Sequence, residues 1–214
     1  MFFKLLDDND VKFCLDNLPK DKTYQDGTKT GTNKQNSESL AVPDSVKKRI
    51  TSALYDTFYI DSVYCPNRVS VNFYNKYEEG DYYDLHVDNF RALPKSNNVY
   101  FDYGWSVNLH DDYEGGEFII QTPIGQIGKK LQAGEAVIFP IIYPHGVQKV
   151  TKGTRQNVVG WMSSHISYES SFILKNIFEV GDFVQKLNSE QAKAIKVKTD
   201  LVLNYLHKFW GQNK

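Results

Sequence analysis

The pattern of apolar and polar positions divides the chain into a helical start, a β-rich middle and a helical end. Residues 8–18 repeat apolar side chains every three or four positions, which predicts a helix. Residues 19–40 are polar and contain two glycines, so they predict a long loop or an extended excursion. A second helix is predicted after Pro43-Asp44-Ser45, with an apolar face that carries Val46, Ile50, Ala53, Leu54 and Phe58.

The middle of the chain, from about residue 60 to 165, is predicted to form short strands. Apolar residues alternate with polar ones in short runs, and glycine or proline separates the runs. Many short strands with regular turns indicate a β-sandwich or barrel. The predicted strands are Val69–Tyr74, Trp105–His110, Glu117–Thr122, Ala136–Ile142, Val147–Val150 and Arg155–Met162.

After residue 166 the helical spacing returns, and Gly181 is predicted to interrupt it. No internal repeat and no change in composition marks a domain boundary. We therefore predict one domain over residues 1–214, mainly β with flanking helices. Its parts are N-terminal helices and loop at 1–60, a β core at 61–165 and C-terminal helices at 166–214.

The composition limits the classes of protein to consider. The chain has 25 Lys and Arg against 26 Asp and Glu, a formal net charge of −1, which argues against a general nucleic-acid binder. Cys14 and Cys65 are the only cysteines, which excludes a disulfide framework and a thiolate zinc site. Without a signal peptide or a long apolar run, we expect a cytoplasmic protein with no membrane partner. The many Lys and Asn residues are typical of AT-rich genomes, bacterial or viral.

The most informative segment is YEEGDYYDLHVDNF, residues 77–90, because it places His86 two residues before Asp88. Residues i and i+2 of a strand point to the same face, so the imidazole and the carboxylate are expected to project together. His145, in a later β-rich segment, is the predicted third ligand. Two histidines and one carboxylate are the ligand set of non-haem Fe(II) oxygenases. An isolated His-x-Asp also fits a polar surface strand.

Arg155 follows His145 by ten residues. Lys152-Gly153 between them predicts a hairpin turn, which would place His145 near Gly160. A guanidinium on the neighbouring strand can hold the far carboxylate of an acid that chelates the metal at its other end. Taken alone, Arg155 also fits an exposed strand.

Further short segments match a known family in the same order along the chain. Tyr77, Gly80 and Tyr83 precede His86 as Y-x-x-G-x-x-Y-x-x-H. The other matching segments are Asp26-Gly27, Lys34-Gln-Asn36, DYEGGE at 112–117, QAGEAVIFP at 132–140, HGV at 145–147, VTKGTR at 150–155, and Trp161. Together they resemble the Fe(II)/2-oxoglutarate-dependent dioxygenases, in particular the prolyl 4-hydroxylase-like branch and its PKHD-type hydroxylases.

The resemblance implies a double-stranded β-helix, or jelly roll, with helices against one sheet. It implies that His86, Asp88 and His145 bind Fe(II), with no catalytic residue beyond this metal site. Arg155 is implied to hold the C5 carboxylate of 2-oxoglutarate, and Tyr77 stands where prolyl hydroxylases have a tyrosine that contacts this co-substrate. The implied cofactors are Fe(II), 2-oxoglutarate and dioxygen, with L-ascorbate as the expected reductant.

Ser106 and Asn108 alternate with Val107 and Leu109 on a predicted strand. If the apolar pair packs on helices, the polar pair faces the interior, where a bound organic acid would supply hydrogen-bond partners. The alternative is that the polar pair faces solvent. The expected substrate-binding side chains are Tyr83, Phe90, Tyr100 and Trp161, which belong to a pronounced aromatic excess of 14%.

The predicted activity is hydroxylation of a peptidyl proline or another amino-acid residue in a peptide or protein partner, with release of succinate and CO2. Tyr100 stands where PKHD-type sequences commonly have an arginine. If that arginine contacts the substrate in those relatives, we expect this protein to bind a different substrate. A small metabolite or a nucleic acid is an alternative substrate, since Arg155-Gln-Asn157 partly matches a DNA-alkylation-repair motif. A non-catalytic jelly-roll binding module is the other alternative. The sequence indicates no oligomeric state.

Overall fold

The computed structural model describes residues 1–19, 25–29, 34–39, 42–88, 100–187 and 189–212. The helices in these ranges are α1 (Asp8–Asn17), α2 (Asp44–Asp56), α3 (Phe58–Tyr64), α4 (Tyr168–Gln185) and α5 (Glu190–Gln212), with a 3-10 turn at Gly27–Lys29. The strands are β1 (Phe2–Lys4), β2 (Gln25–Asp26), β3 (Lys34–Gln35), β4 (Ser37–Ser39), β5 (Pro66–Tyr77), β6 (Tyr82–His86), β7 (Tyr103–Asn108), β8 (Tyr113–Gly115), β9 (Phe118–Thr122), β10 (Gly125–Lys129), β11 (Glu135–Pro140), β12 (His145–Val147), β13 (Val150–Gly153) and β14 (Arg155–Ser164).

The described residues group into two compact units. The first contains residues 1–54 and 68–163, and the second contains residues 55–67 and 164–214. The assignment of all 214 residues to one domain stays a prediction.

The first unit is built mainly from antiparallel sheets. A seven-stranded sheet has the order β1-β11-β7-β14-β5-β4-β2, a five-stranded sheet has the order β10-β9-β12-β6-β3, and β13 pairs with β8. Most neighbours in the sheets are distant in sequence, as where β7 lies between β11 and β14. The predicted β-rich middle with helices on either side is confirmed.

An apolar cluster joins the sheets of the first unit and borders the residues of chemical interest. Its buried members are Tyr77, Tyr113, Phe118, Ile120, Leu131, Val137, Phe139, Val147 and Val150. The Phe139 ring lies 4.3 Å from the His145 imidazole, and the Tyr77 ring lies 5.3 Å from the Arg155 guanidinium. The same packed core therefore holds both polar groups in place.

The second unit is helical, and its helices pack through small and aromatic residues. The Phe178 ring of α4 contacts the rings of Phe58 and Tyr59 in α3, at 5.8 and 5.0 Å between centroids. Gly181 of α4 packs beside Thr199 of α5, since a methyl group at Gly181 would come 3.3 Å from the Thr199 hydroxyl oxygen. No helix of the described residues is long and apolar enough to cross a membrane.

Several predicted details are wrong, for physical reasons. α4 continues through Gly181, because the small residue serves close helix packing. Phe58 is exposed and begins the separate helix α3, which lies where the β core was predicted to begin. The described residues of the segment 19–40 fit the extended excursion rather than the loop, because they form short strands that pair with β5 and β6.

The predicted hairpin at Lys152-Gly153 is also wrong. β13 pairs with β8, whereas β14 pairs with β7 in the large sheet. His145 lies opposite His86 and Ile120 rather than near Gly160. Gly160 instead lies opposite Trp105. Long-range pairing outweighed the local turn signal.

Candidate metal centre

Two paired strands bring His86, Asp88 and His145 together. His86 is the last residue of β6 and lies opposite His145, the first residue of β12. Asp88 follows just beyond the end of β6, so it reaches the same place from a less regular backbone than the predicted strand. Potential ligand atoms of the three side chains all lie within 4.8 Å of one another. Among the described residues this is the only such group.

Both imidazoles present Nε2 to the centre of the group. Nδ1 of His86 lies 2.9 Å from the backbone oxygen of Asp84, and Nδ1 of His145 lies 3.1 Å from that of Tyr143. A carbonyl oxygen only accepts, so each Nδ1 carries the proton and each Nε2 keeps its lone pair. This is the tautomer that a metal-binding histidine needs.

The Asp88 carboxylate faces both imidazoles. Oδ1 lies 3.5 Å from Nε2 of His86, and Oδ2 lies 3.6 Å from Nε2 of His145. Oδ2 also accepts a hydrogen bond of 2.7 Å from the indole Nε1 of Trp161. Burial acts to raise the pKa of Asp88, but the contact with the His86 imidazole, the nearby His145 and the hydrogen bond from Trp161 outweigh it and lower the pKa. The carboxylate is thus held in its ionised form.

Burial has the opposite effect on His145. It lowers the pKa of this imidazole from 6.5 to about 4, although the Asp88 charge opposes the shift. His145 is therefore neutral at pH 7 and available to bind a cation.

Aromatic rings pack around the three candidate ligand side chains. The Tyr83 ring stacks on His86 at 3.6 Å between centroids and 14° between planes. Trp161 packs edge-on against Phe73 at 5.9 Å and stacks near Phe101 at 6.0 Å. The rings leave each imidazole little rotational freedom, which keeps the ligand atoms convergent.

Arg155 is fully buried at the start of β14. One terminal nitrogen donates to Oδ1 of Asn157 at 2.9 Å. Nε and the other terminal nitrogen are buried without a hydrogen-bond partner among the described residues. Leaving a buried cation with unused donors is costly, so this site is suited to an anion, and a carboxylate matches the guanidinium fork.

The predicted 2-oxoglutarate residues lie around this arginine. The Tyr77 ring contacts the Arg155 guanidinium, as above. The Ser106 hydroxyl accepts from the Asn157 amide at 2.8 Å, which links it to Arg155. Asn108 donates to the backbone oxygen of Leu131 at 3.0 Å, and its own Oδ1 is buried without a partner in the described structure. Ser106 and Asn108 are both buried, so the alternative that they face solvent is wrong.

Three residues of the site were missed in the sequence. Asn157 lies two residues after Arg155 on the same strand, a spacing that could have indicated it. Burial raises the pKa of Tyr113, and the charge of the nearby Arg155 opposes this shift. Lys34 is buried, with its ammonium 5.1 Å from the Tyr83 ring centre and 5.9 Å from that of Phe73. Tyr113 and Lys34 both belong to family-like motifs.

The predicted substrate-binding residues have different outcomes. Tyr83 and Trp161 border the metal group, and Trp161 contacts the ligand Asp88 itself. Tyr100 is exposed, and Phe90 lies outside the described residues.

Solved structures with the same fold are oxygenases. A viral collagen prolyl hydroxylase from Paramecium Bursaria Chlorella virus-1, in complex with 2-oxoglutarate, aligns with a TM-score of 0.58 and 15% identity, over 77% of this chain and 95% of that one. A Trichoplax adhaerens prolyl hydroxylase, in complex with a peptide of hypoxia inducible factor, aligns with a TM-score of 0.60 and 13% identity, over 77% and 83%. The predicted jelly-roll core is confirmed.

The sequence comparisons identify the family. Residues 71–163 match the model of the 2OG-Fe(II) oxygenase superfamily. A PKHD-type hydroxylase of Janthinobacterium sp. (strain Marseille) is 31% identical over 167 residues, 76% of this chain and 73% of that protein. One from Aliarcobacter butzleri (strain RM4018) is 31% identical over 159 residues, 72% and 70%. The chain belongs to the PKHD-type hydroxylases, within the 2OG-Fe(II) oxygenase superfamily.

Proposed function

We propose that this chain hydroxylates an amino-acid side chain of a peptide or protein, with a peptidyl proline as the first candidate. The observation that carries the proposal is the pairing of a convergent His-Asp-His group with a buried arginine that has two unused donors. When bound, Fe(II) and 2-oxoglutarate supply with dioxygen the oxidising chemistry that hydroxylates a C–H bond and releases succinate and CO2.

His86, Asp88 and His145 would hold the iron. Two imidazoles and one carboxylate give the 2-His-1-carboxylate set that suits non-haem Fe(II) and leaves open positions on the metal. Trp161 orients the carboxylate through its indole N–H, and backbone oxygens orient both imidazoles. The protein thus fixes the ligands before the metal arrives.

Arg155 would hold the C5 carboxylate of 2-oxoglutarate through Nε and the free terminal nitrogen, a bidentate contact. Asn157 occupies the third position of the guanidinium and keeps its plane fixed. Tyr77, Ser106 and Asn108 would line the same pocket. Full burial of Arg155 excludes water from this end, which strengthens the ionic contact.

The aromatic rings beside the metal group support a peptide substrate. Tyr83 stacks on His86, and Trp161 contacts Asp88. A small apolar side chain such as proline packs well on aromatic rings. The net charge of −1 does not favour a charged nucleic acid as the substrate. The solved prolyl hydroxylases of the same fold also favour proline as the first substrate to test.

The first experiment tests the cofactor site. Anaerobic protein is mixed with Fe(II) and 2-oxoglutarate, and the metal-to-ligand charge-transfer absorption is recorded. We expect the band in the wild-type chain and its loss in His86→Ala. A His86→Ala variant that gives the same band would contradict the assignment of the ligands.

The second experiment tests the substrate. The protein is incubated with Fe(II), 2-oxoglutarate, L-ascorbate and a library of proline-containing peptides, and succinate and peptide masses are measured. We expect peptides that gain one oxygen atom, and omission of ascorbate to reduce the number of turnovers. Oxygen gain only in free metabolites or nucleotides would assign one of those classes instead. Succinate without any oxidised peptide would refute the peptide proposal.

A further inference from the structure

Helices α4 and α5 expose an unusual number of large apolar side chains. On α4 they are Phe172, Ile173, Val180 and Phe183, with Leu187 just beyond the helix end, and on α5 they are Ile195, Val197, Leu201, Val202, Tyr205 and Phe209. Val197 lies two residues after Ile195 and therefore points to another side of α5. The other ten residues are between 44% and 68% exposed. We call them the apolar face.

Within each helix the residues of the apolar face follow a regular spacing, so that they form one row along the helix. We call each row a seam. Positions 173, 180 and 187 of α4 are seven apart, with Phe183 between the last two. On α5, positions 195, 202 and 209 are also seven apart, with Tyr205 between the last two. A seven-residue repeat with intermediate steps of three and four is typical of helices that pack against other helices in bundles.

Both seams lie on the side of the helices that faces away from α3. Residues two apart on a helix point about 200° apart, since each residue turns the helix by about 100°. Phe178, which contacts α3, therefore points away from Val180. His207, whose Nε2 lies 2.8 Å from the backbone oxygen of Ser62 in α3, points away from Tyr205 and Phe209. The two seams form one continuous surface.

The area of this surface matches that of a protein interface. An aromatic side chain has about 150–250 Å² to bury, so four half-exposed aromatic residues offer roughly 400 Å². The six aliphatic residues bring the total to roughly 800–1,000 Å², against about 800 Å² per partner in a standard interface. The largest apolar patch of a typical monomer is about 300–600 Å².

The spacing and the area of the apolar face indicate a second copy of this chain as the partner. The charged residues do not decide the partner, since Asp182, Lys196 and Asp200 line the groove beside α3. A helix pair with two such seams can pack on an identical pair after a two-fold rotation, which places α4 of one copy over α5 of the other. Each copy would then bury roughly 800–1,000 Å², enough for a standard interface. We propose that a second copy of this chain docks on the apolar face and forms a symmetric dimer through a four-helix bundle.

Sedimentation equilibrium of the intact chain tests the dimer from 1 to 100 µM. The expected mass is twice 24.6 kDa. Phe183→Asp in α4 and Phe209→Asp in α5 should each raise the dissociation constant of the dimer at least about 10-fold, because each puts a charge into the buried seam. Both positions are exposed in the single chain, so the far-UV circular dichroism should not change.

Ile124→Asp is the matched control, because Ile124 is 97% exposed and lies outside the apolar face. It should leave the mass of the dimer unchanged. A wild-type chain that stays at 24.6 kDa at 100 µM overturns the proposal, even if it sediments with phosphatidylserine vesicles, which would assign the face to membranes. A dimer that neither seam variant weakens also overturns it.

Discussion

Replacing Trp161 by phenylalanine is expected to weaken Fe(II) binding by about 10- to 100-fold. The change removes the indole N–H that donates to Oδ2 of Asp88 at 2.7 Å, and it keeps an aromatic ring against Phe73 and Phe101. Packing is therefore largely preserved, and the loss is confined to one hydrogen bond to a charged group.

The magnitude follows from the setting of that bond. A hydrogen bond to a charged group contributes about 1.5–3 kcal/mol, which corresponds to about 10- to 150-fold in a binding constant. Asp88 is a buried carboxylate that faces two imidazoles, so without the indole it is free to turn toward one of them. The pKa of Asp88 should rise as well, because the Trp161 hydrogen bond is one of the contacts that lower it.

The assay is an anaerobic titration with Fe(II), or with Co(II) as a spectroscopic substitute, followed by absorption and calorimetry. Trp105→Phe is the matched control, since Trp105 is also buried but its indole N–H has no hydrogen-bond partner among the described residues. Metal affinity that is unchanged in Trp161→Phe would refute the positioning role. An equal loss in Trp105→Phe would trace the effect to packing rather than to the hydrogen bond.

Three further predictions concern co-substrate binding, pH and packing. Arg155→Ala should weaken 2-oxoglutarate binding about 100-fold or more and leave Fe(II) affinity nearly unchanged, and equal 2-oxoglutarate affinities by calorimetry would place the carboxylate elsewhere. In the metal-free protein, the pKa of His145 is about 4 when folded, against 6.5 for a solvated imidazole, so the unfolded chain binds more protons below pH 6.5. The free energy of unfolding should therefore fall by about 3 kcal/mol from this group as pH drops from 6.5 to 4, and urea titrations should show a smaller fall in His145→Asn. Gly160→Ala should lower the melting temperature strongly, because its methyl group would lie 1.8 Å from the Ser70 backbone oxygen. Gly128→Ala is the control, since its methyl group meets only a movable Ile119 methyl at 3.0 Å. Equal melting temperatures of the two variants would contradict this reasoning.

The metal group could be predicted from the sequence because its chemistry restricts the residue types. Few functions need His, Asp, His and Arg in that order, so the ordered set of short motifs pointed to the family before any pairing was known. The side chains His86, Asp88 and His145 then meet as expected, although Asp88 lies past the strand end. The three ligands were therefore predicted correctly as a group although the end of the strand was not.

The details that failed depend on contacts distant in sequence. The turn signal at Lys152-Gly153 is local, but the partner of β14 is β7, about 50 residues earlier, and no local pattern indicates that choice. Trp161 was expected to bind substrate, and only the packed structure shows that its indole N–H donates to Asp88. Gly181 was expected to interrupt a helix, because its packing partner Thr199 is invisible in the local sequence.

The pairing of His86 with His145 also has a mechanical consequence. A metal bound to both would connect two strands whose ligands are 59 residues apart in the chain, in the way a cross-link does. The bound ion would have to be released before β6 and β12 separate, so it should slow unfolding as well as raise equilibrium stability. At a free-metal concentration 100 times the dissociation constant the gain is about 2.7 kcal/mol. Loss of iron would then leave this pair of strands as an early point of opening, and proteolysis near residues 86–88 should be fastest in the metal-free chain.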